Sequence, residues 1–446
     1  MKTGARLFPP FLLALISFCS FLSAASAASP LQETLSNGLK VFVLGNPGTA
    51  SVSVDLWVKA GSRYESPPFN GISHFVEHLL FKGTSQRTAK DISREIAAVG
   101  GLLNGYTHWE YTQIHISLTP LHLGLALEIL GDIAQNSLLT DEMIGKERKV
   151  LLEEISLGSI YPPSYVLNLV SKTLFPGNSL GMPISGTKDT VTAMQRQDLR
   201  QFYKRHYVPN NTLLTIIGNI DSHAALANAR EKFESWPMGD SLPSPFSPPW
   251  RQNELKKVRE RKFLDQAIVV VALRAMGLRD PDRPTFEIIN AILGSGGHSR
   301  LYQEIREKRG LSYLVGSLYH PLSDTGLWAT YADTDPKNIK QVQSLIFQEF
   351  RKIREEPLSP RELEEIKSYI QGRTLIRHET NVALADFIGP RLLAGSGELP
   401  GEFLRKVQAV SAEDVMRVAR NCLREDQFNI IILRPYPGLR LFRGLF

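Results

Sequence analysis

The chain is predicted to be an α+β protein of two homologous domains, each a mainly antiparallel sheet with helices packed on one face. Three observations predict it. A proline-rich segment bisects the chain, its two sides repeat one order of elements, and within each side helices come in consecutive pairs between strands. Paired helices are incompatible with a regular alternating parallel sheet, and a repeat this long implies duplication of a whole domain.

The dividing segment, 237–249, carries four prolines besides Pro237, with interspersed Ser and Gly, so an extended linker is expected over 237–254. It separates domains at 29–236 and 255–446. In the first, Val52, Val54, Leu56 and Val58 alternate with polar or aromatic neighbours, as do Ile114, Ile116 and Leu118. Both stretches predict half-buried strands. Thr119-Pro120 then opens an amphipathic run, 125–137, followed by Leu138-Leu139-Thr140 and a charged helix through Glu147 and Glu154. In the second half, Thr334-Asp335-Pro336 opens a similar run at 342–353, and Pro357-Leu358-Ser359 leads into a helix over 361–375. Each half closes on a helix (200–206; 415–422) and an apolar strand (213–217; 428–433).

The amino terminus reads as a secretory signal over 1–28. Lys2 and Arg6 precede an apolar stretch, and Ala25-Ser26-Ala27 offers a small-x-small cleavage site. Export to the periplasm or outside the cell is therefore expected, with no stable membrane span after cleavage. An anchor helix retained from the same stretch is the alternative. Loss of Lys2 and Arg6 lowers the formal charge from +6 to +4, and no basic run is interleaved with aromatics, which excludes nucleic acid as a partner. Of the two cysteines only Cys422 remains, so an internal disulfide is excluded.

The segment Gly71-Ile72-Ser73-His74-Phe75-Val76-Glu77-His78-Leu79-Leu80-Phe81 has helical periodicity. Residues four apart share a helix face, so His74 and His78 can present imidazoles to one ion, with the Glu77 carboxylate hanging beside it. Two such histidines suit zinc, which takes three protein ligands and a water in catalytic sites. A third ligand must come from another helix. Glu147 and Glu154, seven apart on one face, supply it; either can ligate while the other orients or shields the site.

The inverted H-x-x-E-H motif resembles that of the inverzincins, specifically the pitrilysin/insulinase family in its two-domain branch, which includes mitochondrial processing peptidase and bacterial homologues. The resemblance implies that Glu154 is the distal ligand and Glu147 the supporting acid. Residues 100–107, from Gly100-Gly101 through Asn104, Gly105 and Thr107, with Glu110 and Thr112 after them, resemble the family's substrate-edge strand. Asn104 and Gly105 are thereby implied to bind an extended peptide by strand addition. Family members commonly carry Ala where this chain has Gly105. Arg306 through Tyr313 resembles the family's arginine–tyrosine pair, which implies Tyr313 as an oxyanion donor and Arg306 as a substrate anchor. The similarity runs from about residue 35 to about 435.

The expected function follows: a Zn2+-dependent metalloendopeptidase acting on extended or unfolded peptides, with Glu77 as general base. Two domains make half of the chamber of four-domain relatives, so a homodimer, or a heterodimer with a related subunit, is implied. The rival is a non-catalytic structural or peptide-binding subunit of the same family. Such subunits have typically lost metal-site residues, whereas His74, Glu77, His78 and Glu154 are all present.

Overall fold

The computed structural model describes residues 29–242, 245, 247–248 and 255–437. The signal reading at 1–28, most of the proline-rich 243–254 and the basic, apolar tail 439–446 lie outside the described residues.

The first half runs β1 (Leu31–Thr34), β2 (Lys40–Gly45), β3 (Val52–Val58), α1 (Ile72–Leu80), α2 (Ala89–Ala98), β4 (Leu102–Thr107), β5 (Thr112–Leu118) and α3 (Leu123–Asn136). It continues with α4 (Asp141–Ile160), α5 (Pro162–Leu174), α6 (Lys188–Ala193), α7 (Arg196–His206), β6 (Thr212–Gly218) and α8 (Ser222–Phe233). The second runs β7 (Lys256–Lys262), β8 (Ala267–Ala275), α9 (Arg283–Gly294), a π-helical turn (Tyr302–Glu307), β9 (Val315–Pro321) and β10 (Gly326–Thr334). Then follow α10 (Ile339–Glu355), α11 (Pro360–Arg377), α12 (Asn381–Leu393), α13 (Pro400–Gln408), α14 (Ala412–Cys422) and β11 (Asn429–Pro435).

The first sheet has the order β1-β2-β6-β3-β5-β4 and the second β7-β11-β8-β10-β9. With β1 set aside the two orders coincide strand for strand. Each also has one parallel pair, β2 with β6 and β7 with β11, among antiparallel neighbours. The helices start where the polar caps fall. Thr140 accepts a hydrogen bond from Met143 N at 3.3 Å to begin α4, and Ser359 accepts one from Glu362 N at 3.2 Å to begin α11.

Each half has its own apolar cluster between sheet and helices, built in the first around Val54, Phe75 and Ile129, and in the second around Val269, Phe286 and Phe350. The second face of each sheet is covered by a helix from the other half. Against the first sheet α12 packs so closely that a Cβ on Gly389 would fall on the Trp57 indole. Asn381 at its start donates to Thr49 Oγ1 at 2.9 Å and to Ser51 O at 2.8 Å. In return α5 lays Val170 and Leu174 on Val270, Ala272 and Ile431 of the second sheet, and Arg274 Nε donates to Leu174 O at 2.6 Å. This exchange explains a difference from the expected half-buried strand: all seven residues of β3 are buried, because α12 closes the face that sequence alternation assigns to solvent. A buried Arg63 also spans the halves, paired with Glu110 of the β4–β5 hairpin and with Asp324 of the β9–β10 hairpin at 2.7 Å.

Candidate metal and active site

The site begins with the short helix α1, whose first backbone amides need acceptors. They find Glu65. Its carboxylate accepts from Gly71 N at 2.8 Å, Ser73 N at 2.9 Å and Asn70 Nδ2 at 3.0 Å. Phe75, Val76, Leu79 and Leu80 are fully buried and press the helix into the core. That leaves His74 and His78 on the opposite face, ring centroids 4.6 Å apart.

Across the cleft α4 presents its two carboxylates. Glu154 Oε1 lies 3.6 Å from His74 Nε2, and Glu154 Oε2 lies 3.6 Å from His78 Nε2. Glu77 Oε2 lies 3.9 Å from His74 Nε2, and donors of His74, Glu77 and His78 come within 4.8 Å of one another. Which carboxylate completes a ligand set is decided by reach. Glu154 faces both imidazole Nε2 atoms at once, while Glu77 is buried and turned toward β4. Two donors about 2.0–2.1 Å from a tetrahedral zinc sit about 3.4 Å from each other, so the 3.6 Å separations fit such an ion between His74, His78 and Glu154. Two imidazoles and one carboxylate are also a donor set that zinc accepts.

Glu147 does not face the ion position. Its Oε2 is 3.4 Å from His78 Nδ1 and its Oε1 is 3.0 Å from Lys82 Nζ. A carboxylate only accepts, so Nδ1 carries the proton and Nε2 is left free to ligate. Glu77 receives a 3.4 Å hydrogen bond from Thr107 Oγ1. Burial, with the charge of Glu154 adding, pushes its carboxyl up to about 7. Burial likewise pushes His74 down to about 3, helped by His78, which keeps its imidazole neutral as a ligand must be.

Strand β4 is the free edge of its sheet, and Asn104 is exposed on it. Gly105 serves a purpose that its position on the strand does not disclose. A Cβ there would fall on Glu77 Oε1 and come within 2.7 Å of the Phe81 ring. One cavity of about 1070 Å³ is lined by His74, Glu77, His78, Asn104, Gly105 and Glu154 among others. Arg306 and Tyr313 are not brought to it. Tyr313, 74% exposed, lines a different cavity with Pro162, Val166 and the second sheet. Arg306 stacks on the Tyr313 ring at 4.5 Å and donates to Tyr313 O at 2.7 Å. Sequence reasoning missed Glu65 and Lys82, and it placed Thr107 on the edge strand without its bond to Glu77. Lys82 lies one helical turn beyond His78 and could have been found by spacing; Glu65, in an irregular loop, carries no periodic signal.

The duplicated sheet-and-helix fold and a zinc-type ligand set on facing helices define a metallopeptidase class. Residues 40–188 match the family described as insulinase (peptidase family M16), and residues 193–370 match that described as the peptidase M16 inactive domain. The chain belongs to the M16 insulinase family. It is similar to an uncharacterized zinc protease of Streptomyces coelicolor, 34% identical over 398 residues that cover 88% of this chain and 87% of that one. A Bacillus subtilis protein of the same description is 29% identical, over 89% of this chain and 96% of its own. Among solved structures, a protease from Helicobacter pylori shares the fold with a TM-score of 0.87 at 22% identity, over 92% of this chain and 100% of that one. The structure of a peptidase M16 inactive domain from Pseudomonas fluorescens gives 0.82 at 19%, over 92% and 98%.

Proposed function

We propose that the chain is a zinc-dependent endopeptidase of extended peptides. The observation that carries this is Glu154, 3.6 Å from Nε2 of both His74 and His78, in the cavity that runs along the free edge of β4. Zinc held by His74, His78 and Glu154 would supply a Lewis acid that makes water nucleophilic near neutral pH. Glu77 takes the proton as water attacks the peptide carbonyl and returns it to the leaving amine. Thr107 and the missing side chain at Gly105 hold that carboxylate in place. A peptide strand added to β4 through backbone hydrogen bonds presents successive carbonyls to the site, with Asn104 and Gly105 on the receiving edge. Such recognition selects unfolded segments more than particular side chains.

Arg306 and Tyr313 line a separate region of this chain, and the proposal assigns their action to an assembly. A second copy, or a related subunit, brings its arginine–tyrosine pair over the metal cleft as substrate anchor and oxyanion donor. The leader-like residues 1–28 support export as the setting. Among the described residues no helix is long and apolar enough to cross a membrane.

The test is zinc content together with cleavage of a quenched unstructured peptide by the purified chain and by Glu77→Gln. Stoichiometric zinc with turnover in the wild type, and zinc without turnover in the variant, is expected. Zinc without hydrolysis in the wild type, even with a partner subunit added, would identify a peptide-binding subunit instead. Mixing Glu77→Gln with Tyr313→Phe chains should restore activity that neither has alone if two copies share the site; no recovery removes the homodimer and leaves the related subunit.

A further inference from the structure

Because the halves share one architecture, the second half offers a cleft built like the catalytic one. There α9 and α11 stand beside the free edge of β9, as α1 and α4 stand beside β4. A cavity of about 940 Å³ occupies it. Three α9 residues that line this cavity, Glu287, Asn290 and Ala291, have the spacing of His74, Glu77 and His78. The long helices correspond as well. Counted from their caps, Thr140 and Ser359, Glu154 of α4 and Arg373 of α11 hold the same position. The metal set has therefore become Glu, Ala and Arg, with Asn where the first cleft has its buried Glu77. One carboxylate cannot replace a three-ligand zinc site, and the charge at the distal position is inverted.

Other cations join Arg373. Arg377, one turn along α11, lines the same cavity, and Lys59 enters it from the first half. None of the three has a hydrogen bond or ion pair from its side chain among the described residues. The acids of the lining have nearer partners, although the charge of Arg377 reaches Glu287 and Asp386, and that of Glu110 reaches Lys59. Glu110 and Asp324 hold Arg63, Asp386 accepts from Gln113 at 2.9 Å, and Glu287 lies 3.8 Å from Arg283. Burial first, then the charge of Lys40, holds Lys59 below its ordinary value, with Glu110 opposing the shift and Arg279 adding to it.

We propose that this second cleft binds a small multivalent oxyanion, bearing phosphate or carboxylate groups, through Arg373 and Arg377, with Lys59 adding positive charge to the same cavity. Unpaired cations on the walls of a half-enclosed cavity focus the field and raise the local concentration of anions. The planar guanidinium forks match both oxyanion types bidentately. This site is independent of the metal chemistry, since it uses neither the metal-ligating helix α1 nor the β4 edge.

Calorimetric titration of the full chain at low salt, with inorganic phosphate and separately with succinate, tests it. One-site binding is expected, equal for zinc-free and zinc-loaded protein and weakened by added sodium chloride. The double variant Arg373→Ala/Arg377→Ala should bind at least tenfold more weakly, while Arg373→Lys/Arg377→Lys recovers part of the loss. Both positions are exposed, so melting midpoints should stay at the wild-type value. Binding of one probe alone supports the site and identifies its anion. No saturable binding of either probe, binding only by the zinc-loaded chain, or an unaltered affinity in the alanine variant overturns it.

Discussion

The Glu154 carboxylate on α4 lies 3.6 Å from His74 Nε2 on α1, and its second oxygen is equally far from His78. Glu154 is half-exposed, so the proposed third ligand approaches from the solvent side of the cleft. Glu154→Gln should lose bound zinc almost completely with little change in the apo protein's melting. Glu147→Gln, which disturbs the hydrogen bond behind His78 and removes the ion pair with Lys82, should weaken zinc by about 10–100-fold. Metal content after dialysis against buffered zinc checks both; equal retention would exchange or dissolve the two roles.

Gly105 leaves room beside the carboxylate of Glu77, the proposed general base. In Gly105→Ala the new methyl meets the Glu77 carboxylate and the Phe81 ring, so those side-chain ends must shift. Turnover should fall, but by less than the ~10²-fold that general-base catalysis contributes, since relatives commonly carry Ala here. Zinc content should be unchanged, because none of the three proposed ligands is touched. A kcat that holds while KM rises would instead make Gly105 a residue of the substrate edge alone.

Glu65 holds the first turn of α1. Glu65→Ala strands the amides of Gly71 and Ser73 in a buried place, at about 1–3 kcal/mol for each unsatisfied donor. Urea unfolding should show that loss, and zinc affinity should fall with it, since His74 follows Ser73 directly. A full-stability variant with wild-type zinc binding would show that the helix start is held by other contacts.

His206 supplies a pH dependence away from the metal. Burial pushes its imidazole down to about 4, although the bond to Lys59 O opposes the shift. The fold holds the neutral ring, whereas the unfolded chain takes up a proton near 6.5. Stability from this group is complete above pH 6.5 and is lost as pH falls toward 4, by at most about 1.4 kcal/mol per unit. His206→Phe keeps the stacking with Phe202 and should flatten that part of the urea-midpoint profile. An unchanged slope between pH 6.5 and 4 would assign the acid sensitivity elsewhere.

Much of the molecule was legible because its signals are local. Helix periodicity placed His74, Glu77 and His78 on one element, and the Glu147–Glu154 spacing placed two carboxylates on another. Caps such as Thr140 and Ser359 marked matching helix starts, which is why the duplication shows in the chain alone. Local patterns determine which face of an element is apolar, since that depends only on residues a few positions apart.

What covers the other face is decided by contacts hundreds of residues away. Alternation left one side of β3 to solvent, yet α12 buries it, with Gly389 against Trp57. The same holds for Glu65 beneath α1, for Gly105 beside Glu77, and for Arg306 and Tyr313, whose side chains lie in a region separate from the metal cleft. By itself the sequence determined the elements and the repeat, and, with the family resemblance, it supplied the roles proposed for His74, Glu77, His78 and Glu154. The tertiary structure alone decided the distances from Glu154 to both imidazoles and what each half lends the other, because those are set by packing between elements.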